Sequence, residues 1–338
     1  VDLEGVTMKT IVCVSLALAA PLCGQVDGKS GDQVVGAVQI LVPAAEELFA
    51  SDAKVETLAT TLQFCEGPVW VPAMAALVFS DIPRNQWLRW TAADGVVVWK
   101  ASAGANGNLL DRDGRLLSCQ HGDRNVVRHE QDGKLTVLAA THAGKPLNSP
   151  NDLAVRFDGT IWFSDPTYGL GKRPKEQAGN FVYRLDPATG NLVAVLTEGF
   201  DQPNGLCFAP DHQRLYVADS GKGQRVGAFP VAADGSLGTP VFWLDGGSDG
   251  MRCDAQGNLY TTARDGVRVY SPAGELLAKV ALAQAPTNCA FGGPTGTDLF
   301  VTARQHLYRI PMRVQGAPWP APPVPAVAPA GPAPAKRQ

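Results

Sequence analysis

Helical periodicity is scarce along this chain, and short runs of apolar or alternating residues recur in its place. They fall at residues 77–81, 116–119, 161–165, 215–219, 259–262 and 299–302, roughly 40 to 54 residues apart. Most follow a turn signal such as Asp113-Gly114, Asp158-Gly159, Gln256-Gly257 or Gly296-Thr297. Several lead on to a second strand-like run with a basic or aromatic exit, at 87–90, 126–128, 182–185, 267–270 and 307–310. Self-similar strand units at a period near 45 residues predict a propeller, in which each unit buries its faces only against its neighbours. Six repeats predict an all-β fold, a six-bladed β-propeller with four-stranded antiparallel blades. The run at 55–60 is predicted to complete the blade that ends at 307–310, closing the ring.

The flanks differ from this unit. Met8-Lys9, an apolar run at 11–20 and the small residues after it make residues 1–25 a leader with an export signal. That run is too short for a membrane span, which needs about 20 apolar residues. The bacterial periplasm is the expected location. A lipoprotein anchored at Cys23 is the alternative, against which stands Ala20-Pro21-Leu22, a poor small-residue box before that Cys. Residues 26–53 read as a connecting arm, weakly helical around 44–49, and residues 54–312 as the propeller domain. Residues 313–338 read as a Pro/Ala-rich disordered tail, since eight of the chain's 26 prolines lie between 315 and 338.

Composition narrows the partners. Against 32 acidic residues stand 29 lysines and arginines, a net charge of −3 with no basic run, which excludes nucleic acid as an expected partner. Without Cys13 and Cys23 five cysteines remain (Cys65, Cys119, Cys207, Cys253, Cys289), none spaced as CxxC, and they read as buried free thiols. Trp70, Trp90, Trp99, Trp162 and Trp243 fall in strand-like runs and are expected in the core.

Aligning the repeats on their turns exposes a column of polar residues. Eight positions before Gly114, Gly159, Gly257 and Gly296 stand Asn106, Asn151, Asp249 and Asn288. The same step from His212 gives Asn204, and from Met74 it gives Glu66. Each precedes an alternating apolar run, the innermost strand of a blade, so the six side chains are predicted to ring the mouth of the channel. One Asn before a strand is usually only a turn former. Six converging without partners would cost about 1–3 kcal/mol each. A bound cation removes that conflict, and an all-oxygen donor set favours Ca2+, with Mg2+, Mn2+ or Zn2+ as alternatives. Glu66, Asn151, Asn204 and Asp249 are the expected metal ligands; Asn106 and Asn288 are expected in a supporting or substrate-facing position.

These segments resemble the gluconolactonase/regucalcin (senescence marker protein) family of six-bladed propellers. The resemblance is carried by Phe64-Cys65-Glu66-Gly67-Pro68, Ser149-Pro150-Asn151-Asp152-Leu153, Ser164-Asp165-Pro166-Thr167-Tyr168-Gly169, Gln202-Pro203-Asn204-Gly205 and Asp249-Gly250-Met251. His121-Gly122 and Pro286-Thr287-Asn288 add to it, over about residues 58–310 in all. It implies a divalent metal on Glu66, Asn151, Asn204 and Asp249, and a small-molecule sugar lactone as substrate. Regucalcin-like members carry an Arg two residues before the first Asn; here the position is Ser149, as in the bacterial gluconolactonase branch.

The implied chemistry is metal-polarised attack of water on a cyclic ester, with Asp249 as the catalytic base. His121 reads either as a substrate-binding group or as a structural loop histidine. Tyr168 is a candidate substrate contact, while Asp165, next to Pro166, reads first as a turn former. Two other classes stay open: a related hydrolase of other lactones or of organophosphates, as in diisopropylfluorophosphatase, and a non-catalytic binding propeller. The sequence leaves oligomeric state open.

Overall fold

A computed structural model describes residues 38–50 and 53–318. The leader with its export signal, Cys23 and most of the Pro-rich tail lie outside the described residues. Six antiparallel sheets stand around one channel. Blade 1 is Cys65–Val71, Ala76–Asp81, Gln86–Thr91 and Gly95–Ala101; blade 2 is Ala105–Leu110, Leu116–Gln120, Asn125–His129 and Leu135–Ala139. Blade 3 is Leu153–Val155, Ile161–Asp165, Phe181–Asp186 and Asn191–Leu196; blade 4 is Pro203–Phe208, Arg214–Asp219, Arg225–Pro230 and Phe242–Asp245. Blade 5 is Met251–Cys253, Leu259–Ala263, Gly266–Tyr270 and Leu276–Val280. In blade 6 Asn288–Gly292, Asp298–Ala303 and His306–Pro311 are joined by the early strand Glu56–Ala59, which pairs with His306–Pro311 and closes the ring.

The first strand of each blade touches the first strands of both neighbours, so these six line the channel. The second strands, buried on both faces, carry the apolar runs seen in the sequence, such as Leu77 with Phe79 and Ile161 with Phe163. Large rings fill the wedges between blades: Trp87, Trp162, Tyr183, Tyr216, Tyr260 and Tyr308 are all fully buried. The expected turns are present, with Gly114, Gly159, Gly257 and Gly296 at φ between +71° and +89°. Blade 1 differs by one residue. Its turn is a 3-10 turn, Pro72–Met74, so the left-handed residue is Ala75 rather than Met74.

Two boundaries move. Val38–Ile40, expected in a connecting arm, pairs with Leu276–Val280 as a fifth strand of blade 5, and the 3-10 turn Pro43–Leu48 packs beside it. The tail also starts later than residue 313: Arg313 N–H donates to Leu48 O, Ala255 N–H to Gln315 O and Ala317 N–H to Cys253 O. All five described cysteines are free and buried. Trp243, expected in the core, is 37% exposed at a blade's outer edge, with the Arg225 guanidinium 3.8 Å from its ring. Among the described residues no helix is long and apolar enough to cross a membrane.

The channel opens at both ends. One end is an apolar cavity of about 410 Å3 whose only charged lining residue is Arg252. The other is a polar cavity of about 450 Å3 lined by Glu66, Asn106, Asn151, Asn204 and Asp249. Between them lie Asp152, Asn288 and Arg252, with Arg252 Nη1 3.8 Å from Asp152 Oδ2. Among the described lining residues, carboxylates face the polar end and not the apolar one.

Candidate active site at the channel mouth

Local backbone explains why the column residues face the axis. In blades 1, 2 and 4 the pairing of first and second strands slips at or directly after the column residue, between Glu66 and Val69, Ala105 and Asn108, and Pro203 and Leu206. Such a bulge re-aims a side chain out of the regular alternation. The blades then meet almost without side chains. Gly205 N–H donates to Asp249 O at 2.7 Å and Gly107 N–H to Asn151 O at 2.8 Å. An added Cβ on Gly107 would lie 2.7 Å from Asn151 O, and one on Gly67 would lie 2.8 Å from Asn108 N.

The loops that deliver these residues are clamped by the last residue of a second strand. Asp81 accepts from Gln63 and Phe64 N–H at 3.0 and 3.2 Å, Asp165 from Asn148 N–H at 2.7 Å, and Asp219 from Asp201 and Gln202 N–H at 3.2 and 2.9 Å. Asp165 is therefore more than a turn former: it fixes the loop leading to Asn151. Burial pushes its carboxyl up to about 7. A row of hydroxyls ties second strands to the inner ones, with Ser80 donating to Asn106 O at 2.8 Å and Thr262 to Gly250 O at 2.8 Å.

Five of the six column residues line the polar cavity, together with His121 and Tyr168. Asn288 does not. Expected in a supporting or substrate-facing position, it takes the supporting one: it is 1% exposed beneath the floor, where its Nδ2 donates to Glu66 Oε2 at 3.0 Å and Asp152 Oδ2 at 3.1 Å. In this blade the preceding residue takes the place the others hold: Thr287 O accepts from Gly250 N–H at 2.7 Å, as Asp249 O does from Gly205 N–H, and Thr287 lines the cavity while Asn288 lies beneath it.

Glu66 accepts a second bond from Gly67 N–H at 2.6 Å, again on Oε2. Burial, then the charges of Asp249 and Asp152, push its carboxyl well above the usual range. Asp249 is also raised, chiefly by loss of water, against a hydrogen bond from Asn204. Asn106 Nδ2 lies 3.1 Å from His121 Nε2, and Asn106 Oδ1 is buried without a partner. His121 is lowered to about 4 by burial and then by Arg173, whose guanidinium donates to His121 O at 2.7 Å, so its ring is neutral at pH 7. Gly169 leaves the space that ring fills, since a Cβ there would lie 2.6 Å from Nδ1. Tyr168, hydrogen-bonded to Ser220 and Asn204, is raised to about 12 by burial and the nearby carboxylates. Ser149 does not reach the cavity; its hydroxyl donates to Pro166 O at 2.6 Å and accepts from Gly169 N–H at 3.0 Å, anchoring the loop of Tyr168.

Among the described residues no three His, Cys, Asp or Glu side chains gather as a metal cluster. The donors on the floor are two carboxylates plus amide oxygens, one of them orphaned. Two buried carboxylates that repel each other, beside an unpartnered Oδ1, fit a hard cation.

Pattern reading found His121 and Tyr168 but missed Asp152, Asn108 and the rest of the rim. Asn108 Nδ2 donates to Gly67 O at 2.7 Å, Ser80 Oγ at 2.9 Å and Asn106 O at 3.0 Å, while its Oδ1 accepts from Trp87 Nε1 at 3.0 Å and Ser118 Oγ at 2.6 Å. The rim has an order of its own. The hairpin between second and third strands of every blade sends a residue into the cavity: Ile82, His121, Tyr168, Ser220, Arg264 and Arg304 in turn. The first residue after each second strand would have located five of the six.

Known proteins share the sequence and the fold. Residues 64–305 match the SMP-30/Gluconolactonase/LRE-like region. A gluconolactonase of Zymomonas mobilis is 29% identical over 315 residues, covering 83% of this chain and 88% of its own. The pentonolactonase XacC of Haloferax volcanii is 28% identical, covering 72% and 82%. A solved gluconolactonase structure from Xanthomonas campestris superposes with a TM-score of 0.76 at 34% identity, covering 86% of this chain and 99% of that one.

Proposed function

The chain belongs to the SMP-30/gluconolactonase/LRE-like family, and from that premise we propose that it opens sugar lactones to aldonic acids with a divalent cation held on the channel floor. Lactone hydrolysis is the activity its gluconolactonase and pentonolactonase relatives are named for. The cation reading rests on one observation: Glu66 and Asp249 converge with amide side chains, and Asn106 Oδ1 has no protein partner. Glu66, Asn151, Asn204 and Asp249 would hold the ion. An irregular set of oxygens suits Ca2+ better than Mg2+, which demands a near-ideal octahedron.

When bound, the cation supplies Lewis-acid polarisation of the lactone carbonyl. Asp249 takes a proton from the water whose oxygen bonds to the carbonyl carbon. As the bond from carbonyl carbon to ring oxygen breaks, Asp249 returns that proton to the ring oxygen, leaving a hydroxyl and a carboxylic acid, whose remaining proton passes to solvent at neutral pH. Ligating a cation lowers the basicity of Asp249, while loss of water raises it, and the two effects oppose. Asn106, oriented by His121, and Tyr168, standing over Asn204, position the sugar hydroxyls.

The test is hydrolysis of glucono-1,5-lactone by the parent and by Asp249→Asn, with and without EDTA. The expectation is loss of activity in EDTA with recovery on adding Ca2+, and a drop of at least 100-fold in kcat for the variant. Turnover unaffected by EDTA would sink the cation reading. A variant that binds Ca2+ and keeps its kcat would sink the role of Asp249.

A further inference from the structure

We propose that Arg264 and Arg304 form an oxyanion-binding wall, and that the preferred lactone carries a carboxylate or phosphate away from its ring ester. This rests on the lactonase reading of the same cavity. The rim is polarised. Blades 1 to 3 contribute Ile82, His121 and Tyr168, none of them charged at neutral pH, whereas the adjacent blades 5 and 6 contribute both arginines. The positive charge therefore lies along one wall only.

Among the described residues these two guanidinium groups hold no strand, loop or turn in place by a salt bridge. Asp265, next in sequence to Arg264, pairs outward with Arg268 at 3.0 Å and Lys279 at 3.5 Å. Neither Arg264 nor Arg304 forms an ion pair among the described residues; the positive charge of Arg304 acts on Asp249 across the cavity. Arg304 is also a poor residue for its turn. It sits at φ +52° in a two-residue hairpin, where Gly, Asn or Asp is the usual occupant. Its carbonyl holds Cys65 N–H at 2.7 Å, a bond any residue could make. The hairpin thus supplies a reason for the backbone shape but none for the side chain.

Charge balance makes the same point. Of the three carboxylates at the axis, Asp152 is matched by Arg252, which leaves Glu66 and Asp249 facing the cavity. Once a divalent cation offsets those two, the arginines remain as net positive charge. A neutral sugar is served by amides, carboxylates and Tyr168. Two planar guanidinium forks match the paired oxygens of a carboxylate or phosphate, and at an exposed mouth they also draw anions in.

The experiment compares kcat/KM for glucono-1,5-lactone, a glucaric acid monolactone and 6-phosphoglucono-1,5-lactone in the parent, Arg264→Gln, Arg304→Gln and Arg304→Lys. One anionic lactone is expected to exceed the neutral one at least tenfold, and which one does so separates carboxylate from phosphate. Each Gln variant is expected to lower that preference at least tenfold through KM, and Lys at 304 to restore part of it. A preference for the neutral lactone, or a ratio that the Gln variants leave unchanged, overturns the proposal. If no lactone is turned over, the lactonase reading fails separately. Calorimetry with 6-phosphogluconate and glucarate then decides the wall: binding lost in the double Gln variant sustains it, and absent or unaltered binding refutes it.

Discussion

Replacing Gly205 by Ala tests whether the approach of blades 4 and 5 sets the floor of the site. Gly205 is not in the left-handed region, so an Ala there carries no backbone strain, and its effect is steric alone. The new Cβ would overlap the Asp249 carbonyl oxygen and lie 2.7 Å from Gly250 Cα. Both are main chain, and Asp249 is itself held by Thr262 at 3.0 Å, so no flexible side chain can yield. Overpacking of this kind costs about 1–3 kcal/mol. Weakening the 2.7 Å bond from Gly205 N–H to Asp249 O adds about 0.5–1.5 kcal/mol. The total, about 1.5–4.5 kcal/mol, corresponds to a fall of roughly 3–10 °C in Tm for a domain of this size. The matched control is Gly114→Ala, where φ is +76° and no atom lies within 4 Å, so only the left-handed conformation costs, about 1 kcal/mol. Calorimetric melting and titration with Ca2+ give the two readouts. Gly205→Ala is expected to lose both stability and at least tenfold in Ca2+ affinity, because Asp249 must move. If it melts within 2 °C of the Gly114 control and binds Ca2+ as the parent does, the reasoning is wrong.

Asn108→Ala removes a side chain that joins three acceptors and two donors across blades 1 and 2, including Trp87 Nε1. At about 1–3 kcal/mol for each buried group left unpaired, a loss of 3 kcal/mol or more is expected in urea unfolding. Tyr168→Phe, at a residue 48% exposed, should change stability by less than about 0.5 kcal/mol while raising KM for the lactone. Asp165→Asn gives a pH signature. Burial raises this carboxyl from 3.8 to about 7, so between those values the folded protein holds a proton that the unfolded chain has released. Stability of the parent therefore falls as pH rises through that window, by at most about 1.4 kcal/mol per pH unit from this group. Denaturation at pH 4, 5.5 and 7 should show the difference between variant and parent moving in the variant's favour, then levelling off above pH 7.

The ring was legible because each blade repeats the same local grammar of apolar run, turn and second run. The column was legible because it keeps step with those turns. What escaped has a physical reason. Val38–Ile40 is a three-residue edge strand, too short for alternation to separate it from coil. Residues 313–317 look like the Pro-rich stretch they adjoin, yet they bond to Leu48 and blade 5. Asn288 belongs to the column by spacing, but Thr287 takes the corresponding place between the blades, a register detail no spacing can show. Asp152 reads as the second half of an Asn-Asp turn, and its importance comes from Asn288, 136 residues away. Arg264 and Arg304 each follow directly on a second strand, but the ends of those strands are blurred in the sequence, where the apolar runs stop at 262 and 302.

Closure of blade 6 also fixes when the site can exist. Glu56–Ala59 is made early by the ribosome, but its partner, His306–Pro311, emerges about 250 residues later. Glu66 and Asn288, bonded across the same seam, are 222 residues apart. Until that last blade folds, the nascent chain holds an unpaired strand and half a floor, with two carboxylates and no amide to separate them. Synthesis order thus makes the floor all-or-none: a truncated chain that stops before residue 298 has most of the donors and no place to hold them together. It also puts the longest wait for a partner on the strand that starts the ring, where a second chain could pair instead.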